Sequence, residues 1–244
     1  MKSPQIKWIS QDDPADSFPD ARQAFEVPDG LLAAGGDLSQ ERVLYAYRHG
    51  IFPWYDDGQP ILWWSPDPRC ILRPENFHPS RRLKRFFRNC RYEITFNSAF
   101  SKVIDACADE RPEQQGTWIN PEMIDSYKHL HENGWAHSVE VWSGSELVGG
   151  LYGLAIGEAF FGESMFSRRS NASKAAMYVL CRALGKLGCK ILDCQVESPH
   201  LMSLGATLMP RSEFLDLLQR TCANSSRITN WPAERLGISD LGEE

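Results

Sequence analysis

The chain has 244 residues, 42% of them hydrophobic and 24% charged, with a net charge of -6, which suits a soluble globular protein of one or two domains. No run of eighteen apolar residues occurs, and the opening MKSPQIKWISQDDP lacks the apolar core of a signal peptide, so a cytoplasmic protein with no membrane association is expected. Its seven Cys form no CxxC pair and no Cys/His spacing suited to zinc; reduced, mostly buried thiols are expected, with no metal and no cofactor.

In chain order, residues 27–50 begin with turn residues and continue as one helix. Ser39 is its expected cap, Val43, Leu44 and Tyr47 share a face, and Gly50 follows its end. The next stretch, GIFPWYDDGQPILWWSPDPR from Gly50 to Arg69, holds three of the eight Trp with Phe52, Tyr55 and four Pro. Pro removes backbone donors and fixes φ, so an irregular loop held by side-chain packing is expected here, not a sheet interior. Its rings have two readings: satellite core of a small domain, or platforms for a flat ligand, worth about 1 to 3 kcal/mol per stacked base. A boundary in SPDPRC gives a small N-terminal domain over 1–68 and a main domain over 69–244.

Overall acidity by itself argues against a nucleic-acid partner. The distribution of charge argues the other way, because Ser80 to Arg91, SRRLKRFFRNCR, carries six basic residues and no acid. Leu83, Phe86 and Phe87 fall on one helical face and Arg81, Arg85 and Arg88 on another, with Lys84 in the same run. A solvated face is the bland alternative, but cations so unrelieved favour phosphate binding.

Beyond this helix, strand and helix signals alternate. Asn97 is the expected cap of a helix with Phe100, Val103, Ile104 and Cys107 inward. Asn120 and Pro121 open another, with Ile124, Tyr127 and Leu130 inward and a stop at Gly134. HSVEVW is a strand, and ELVGGLYGLAIGEAFFGESMF is a pair of strands turning at Gly157 and Glu158. After Asn171 come a helix through Met177, Leu180 and Leu184, the apolar strand KILDCQV, a short helix opened by Ser198 and Pro199, and a last helix from Ser212. The acidic tail is expected to be poorly ordered from about residue 233.

Two places in these elements invite chemistry. Asp193 and Gln195 lie two apart in an apolar strand, so both are expected on one face, where an unpartnered amide costs about 2 to 7 kcal/mol and a carboxylate more. Either they bond a neighbouring loop or they bind a ligand. Glu163 interrupts a strand end between Phe161 and Met165; it is either solvated or a receiver for an amine. No GxSxG elbow surrounds Ser164, so a serine nucleophile is not indicated.

WWSPDPR and GESMFSR, with GTWI, NASK, LDCQV and SLGA in order from about Gly30 to Arg211, resemble the leucyl/phenylalanyl-tRNA-protein transferase family. Periodicity alone gives α+β; the resemblance implies a GNAT-like acyltransferase core, a mixed sheet flanked by helices, with a small N-terminal domain. It also implies transfer of Leu or Phe, and less efficiently Met, from aminoacyl-tRNA to the α-amine of proteins starting with Arg or Lys, marking them for the N-end rule pathway. On the matching positions, Asp193 and Gln195 act on the amine and Glu163 lies in the active site. Leu151, Phe160, Met177 and Leu180 line the side-chain pocket, and Trp54 and Trp118 contact the terminal adenosine. Gln has no useful basicity, so Gln195 either relays or only orients while solvent or the ribose takes the proton. The [QR]xxGx[GA] loop of CoA-using relatives is missing, which disfavours a CoA-dependent N-acyltransferase. A noncatalytic RNA-binding module would leave Asp193 and Gln195 without purpose.

Overall fold

The computed structural model describes residues 6–109, 119–223 and 227–238. Its N-terminal part holds β1 (Lys7–Ile9), β2 (Leu31–Gly35), α1 (Gln40–Arg48), β3 (Phe52–Pro53) and β4 (Leu62–Trp64). These strands form a sheet in the order β1-β2-β4-β3, with only β1 and β2 parallel.

The Trp/Pro-rich stretch departs from the irregular loop expected of it. Phe52 pairs with Trp64 and Pro53 with Trp63, and Trp63 is fully buried, its indole N–H donating to the Gly35 carbonyl at 2.8 Å. Pro53 is tolerated because β3 is an edge strand, and Pro60, Pro66 and Pro68 lie outside the strands. The aromatic residues thus divide between the two readings: Phe52, Tyr55 and Trp63 are core, whereas Trp54 is 44% exposed.

The main part continues with β5 (Arg69–Leu72), α2 (Arg81–Asn89), β6 (Glu93–Phe96), α3 (Phe100–Asp109), α4 (Pro121–Glu132) and β7 (Ala136–Ser143). Then follow β8 (Glu146–Ile156), β9 (Ala159–Ser167), α5 (Ala172–Lys186), β10 (Ile191–Gln195), α6 (Pro199–Met202), β11 (Thr207–Met209), α7 (Arg211–Thr221) and β12 (Leu236–Gly237). The strand order is β11-β5-β10-β9-β8-β7-β6-β12, and β9 and β10 are the parallel pair, joined by α5 as crossover. The architecture is mixed α+β with an N-terminal domain.

Side chains of β8, β9 and β10 alternate between two cores, as the period of a strand requires. Tyr152, Phe161 and Ile191 pack with α1, α3, α4 and α7 on one face; Leu151, Phe160 and Leu192 pack with α2 and α5 on the other. N-terminal residues such as Tyr47 and Trp63 belong to the first of these cores. On the second face α5 sits close to β8, where a Cβ on Gly149 would come within 2.5 Å of the Ala172 Cβ.

Three local expectations change. Asn97 is not the cap of α3: it sits at φ +56°, its side chain accepts from the Ser138 N–H at 3.1 Å, and the buried Glu140 carboxylate receives the Ser98 and Ala99 N–H groups instead. A carboxylate from β7 thereby meets the positive end of the helix. In α4 Met123 is fully buried along with Tyr127 and Leu130, and Ile124 is only half-buried. The tail does not lose order at 233, because Leu236 and Gly237 pair with β6 and Ile238 is buried. Apolar side chains at 236 and 238 outweigh the acidic composition there; residues 239–244 lie outside the described residues.

Candidate active site

At the C-terminal end of β10 the strand register breaks between Asp193 and Gln195, and Gln195 adopts φ +58°. The bulge separates two residues that simple alternation would hold on one face. Asp193 is fully buried against Arg69 of β5: Arg69 Nε donates to Oδ1 at 2.9 Å and Nη2 to Oδ2 at 2.7 Å. The Arg69 guanidinium lies between the rings of Phe52 and Phe214, 4.8 and 4.7 Å from their centroids, and donates from Nη1 to the Gly50 carbonyl. Asp193 Oδ1 also accepts the Gln195 backbone N–H at 2.9 Å. This carboxylate therefore fixes the bulge and the end of the N-terminal helix–strand turn, and it presents itself to Arg69 rather than to a cavity.

Gln195 reaches the other way. Its Nε2 donates to Glu163 Oε1 at 3.3 Å. Glu163, on β9, also receives the Tyr47 hydroxyl on Oε1 at 2.7 Å and the Tyr127 hydroxyl on Oε2 at 2.9 Å, and the two hydroxyls are 2.5 Å apart. Both tyrosines are fully buried, one from α1 and one from α4. Burial pushes the Glu163 carboxyl up to about 7, against the downward pull of the two hydroxyls and Arg69, while Asp193 adds to the rise. Burial, then the Glu163 charge, holds both phenols well above their ordinary range; they remain donors.

Two cavities meet at this group. One, of about 250 Å³, is lined by Leu151, Met165, Met177, Leu180, Leu192 and Leu201 with Glu163 and Gln195 at its polar side. The other, of about 150 Å³, lies between Phe52, Pro53, Trp54 and Val196 and shares Glu163, Cys194 and Gln195 with the first. Trp54 is braced by the Trp64 indole N–H, which donates to the Trp54 carbonyl at 2.7 Å.

The sequence-derived residues are thus partly assembled. Glu163, Gln195, Leu151, Met177, Leu180 and Trp54 come together; Asp193 stands behind them. Phe160 does not line the cavity: it is fully buried, with its ring 6.1 Å from that of Trp231. Strand alternation does place it on the cavity's side of the sheet, but its ring packs over Gly153 of β8, where a Cβ would come within 2.5 Å of it. Trp118 lies outside the described residues. Arg69, Tyr47 and Tyr127 were not foreseen at the site; the two tyrosines were legible only as inward positions of amphipathic helices.

The basic residues sit apart. Ser80 Oγ caps α2, Leu83 and Phe87 are buried, and Arg81, Lys84, Arg85 and Arg88 are exposed without an ion pair among the described residues. Phe87 stacks on Tyr178 of α5 at 5.1 Å, so α5 separates α2 from the apolar cavity that its Met177 and Leu180 line.

An apolar cavity joined to an aromatic-edged one, with a carboxyl and an amide where they meet, has the form of a binding site on an α+β fold. The chain matches the family model for the leucyl/phenylalanyl-tRNA protein transferase over residues 71–219 and that for its N-terminal domain over 36–67. It is 53% identical to the leucyl/phenylalanyl-tRNA--protein transferase of Ectopseudomonas mendocina, over 93% of this chain and 100% of that one. With the corresponding protein of Aromatoleum aromaticum it shares 54% identity over 95% and 92% of the two chains. The chain belongs to the leucyl/phenylalanyl-tRNA protein transferase family. Among solved structures, a GCN5-related N-acetyltransferase from Kribbella flavida shares 13% identity over 68% of this chain and 58% of its own, with a TM-score of 0.37. At that score the fold rests on the sheet order itself.

Proposed function

We propose that the protein transfers Leu or Phe, and less efficiently Met, from aminoacyl-tRNA to the α-amine of proteins that begin with Arg or Lys, marking them for the N-end rule pathway. The observation that carries this reading is the junction of two cavities at Glu163 and Gln195. The aminoacyl side chain occupies the apolar cavity of Leu151, Met177 and Leu180, and the terminal adenosine of the tRNA lies against the exposed face of Trp54. Both parts of the donor then hold its ester carbonyl beside the carboxyl and the amide.

The ester is already activated, so no covalent enzyme intermediate is needed; orientation alone supplies up to about 7 to 11 kcal/mol in good intramolecular models. Gln195 orients the donor and the attacking amine through its side-chain amide, and Glu163 receives an amine. Asp193 acts through Gln195: it holds the backbone N–H of that residue and is itself held by Arg69. The acceptor stem lies along α2, where Arg81, Lys84, Arg85 and Arg88 meet phosphates; such contacts position the tRNA without reading its sequence. The absent CoA pyrophosphate loop in the sequence further disfavours a CoA donor.

The test is to incubate the protein with leucyl-tRNA and an Arg-initiated peptide, beside acetyl-CoA with the same peptide. Leucyl transfer from the first and no acetyl transfer from the second is the expected result. Acetylation alone, or tRNA binding without transfer, would replace this reading with a CoA-dependent enzyme or an RNA-binding module.

A further inference from the structure

The Glu163 carboxyl and the two tyrosine hydroxyls make three oxygen–oxygen contacts: Glu163 Oε1 to Tyr47 at 2.7 Å, Tyr47 to Tyr127 at 2.5 Å, and Tyr127 to Glu163 Oε2 at 2.9 Å. Each contact needs one proton to be a hydrogen bond. With Glu163 ionised, the hydroxyls supply two protons for three contacts, and one pair of buried oxygens is left facing without a donor. With Glu163 protonated there are three protons for three contacts. The bonds then run in one sense, from the carboxyl to Tyr47, from Tyr47 to Tyr127, and from Tyr127 back to the second carboxyl oxygen.

We propose that Glu163 takes the proton from the α-ammonium of the acceptor, and that Tyr47 and Tyr127 are positioning residues that hold its carboxyl in place, in a ring that closes when the proton arrives. The inference rests on the proposed function for the identity of the acceptor, but the ring is a property of the protein alone.

The proton balance is simple. An N–H bond of the acceptor ammonium breaks and an O–H bond forms on Glu163, leaving a neutral amine that attacks the ester carbonyl. As the ester C–O bond breaks, the second amine proton ends on the ribose hydroxyl, and Glu163 then returns its proton to solvent. An ordinary Glu near 4.3 would take a proton from an α-amine near 7.7–8.0 only at a cost of about 10³ to 10⁴ in the equilibrium. Burial, opposed by the ring's own donors, sets the Glu163 carboxyl at about 7 and reduces that cost to about tenfold. The groups that act on it are Tyr47 from α1, Tyr127 from α4, Asp193 and Gln195 from β10, and Arg69 from β5, with Tyr152 of β8 beside the two tyrosines. Asp193 and Arg69 are paired with one another through two hydrogen bonds.

The experiment has a substrate-free arm and a kinetic arm. In the ligand-free protein, infrared difference spectra should show a protonated-carboxyl band that titrates away with a midpoint near 7 and is absent from Glu163→Gln. In transfer from leucyl-tRNA to an Arg-initiated peptide, kcat/KM should follow a bell, with an acid limb at the same midpoint and an alkaline limb near the acceptor amine. Glu163→Gln should move the acid limb up to that of the acceptor amine, near 7.7–8.0, and lose about 10² to 10⁴ in kcat/KM. Tyr127→Phe, which breaks the ring and removes a donor that holds the carboxyl down, should raise the infrared midpoint and the acid limb together by about one unit. No such band at acid pH, an acid limb that stays near 7 in Glu163→Gln, or a limb and a band that move independently in Tyr127→Phe would each overturn the proposal. The infrared arm needs no tRNA, so its failure condemns the ring, whereas absence of leucyl transfer by the unmutated protein condemns the function.

Discussion

Replacing Asp193 by Asn tests whether this residue acts on substrate or on the fold. The Arg69 and Asp193 side chains are 1% and 0% exposed, and their paired hydrogen bonds are 2.9 and 2.7 Å long. Asn would turn an amide toward a buried guanidinium and leave its charge without a counter-ion, a change that costs about 3 to 5 kcal/mol. For a chain of this size each kcal/mol moves the midpoint by about 2 to 4 °C, so the thermal transition should fall by about 6 to 20 °C. Transfer activity should fall with it even well below the transition, because the Asn oxygen that accepts the Gln195 N–H is no longer held by the paired bonds of Arg69. A second variant separates the two effects. Replacing Arg69 by Met and Asp193 by Leu together removes both charges, and apolar replacement of a buried pair is often neutral or stabilising. The double variant should recover most of the lost stability yet remain inactive, since the bulge has no anchor. Calorimetric melts and leucyl transfer on all variants are the assay. A single variant that melts within about 2 °C of the parent, or a double variant no more stable than Asp193→Asn, would refute the reasoning.

Glu163→Gln should also flatten the pH dependence of stability. The folded carboxyl titrates at about 7 against an ordinary 4.5, so between those values the unfolded chain releases a proton that the fold retains, and stability falls as pH rises, by up to about 3 kcal/mol. Urea melts at several pH values would show this slope in the parent and not in the variant; a slope of opposite sign would contradict the raised carboxyl. Changing Arg81, Arg85 and Arg88 to Ala should weaken tRNA binding alike for different tRNAs, reducing the salt slope by about 0.7 to 0.9 per lost contact; an unchanged slope would make α2 a solvated face. Leu151→Ala should enlarge the apolar cavity, lowering kcat/KM for Leu-tRNA and relaxing rejection of Ile-tRNA, because one methylene is worth only about 1 to 3 kcal/mol and shape at Cβ must discriminate. Equal use of Leu and Ile by the parent would defeat that model. Phe160→Ala, by contrast, should act through the core, losing about 3 to 5 kcal/mol of stability in denaturant melts with little change in donor preference among the molecules that remain folded.

Local patterns in the chain were enough to place most helices and strands. The spacing of Leu83 and Phe87 defined α2, KILDCQV defined β10, and the motif blocks identified the family, because periodicity and motifs are properties of neighbours in sequence. The Pro-rich stretch misled for the same reason: each Pro weakens a strand locally, and only pairing across the hairpin shows that Pro53 is on an edge where no donor is missed. The candidate site was legible where one residue type in an apolar setting demanded a partner, as at Glu163, Asp193 and Gln195. What those partners are was decided in three dimensions. Arg69 is 124 residues from Asp193, and Tyr47 and Tyr127 are 116 and 36 from Glu163. Two tyrosines spaced as ordinary inward helix positions become hydrogen-bond donors only because α1 and α4 converge over β9. Asp193 and Gln195 part company only because a bulge reverses the alternation that an ideal strand would impose. Composition and spacing decide which side chains are driven inward, since burial of apolar faces is a local demand; which polar groups meet there is fixed by the packing of distant elements, and with it the chemistry of the site.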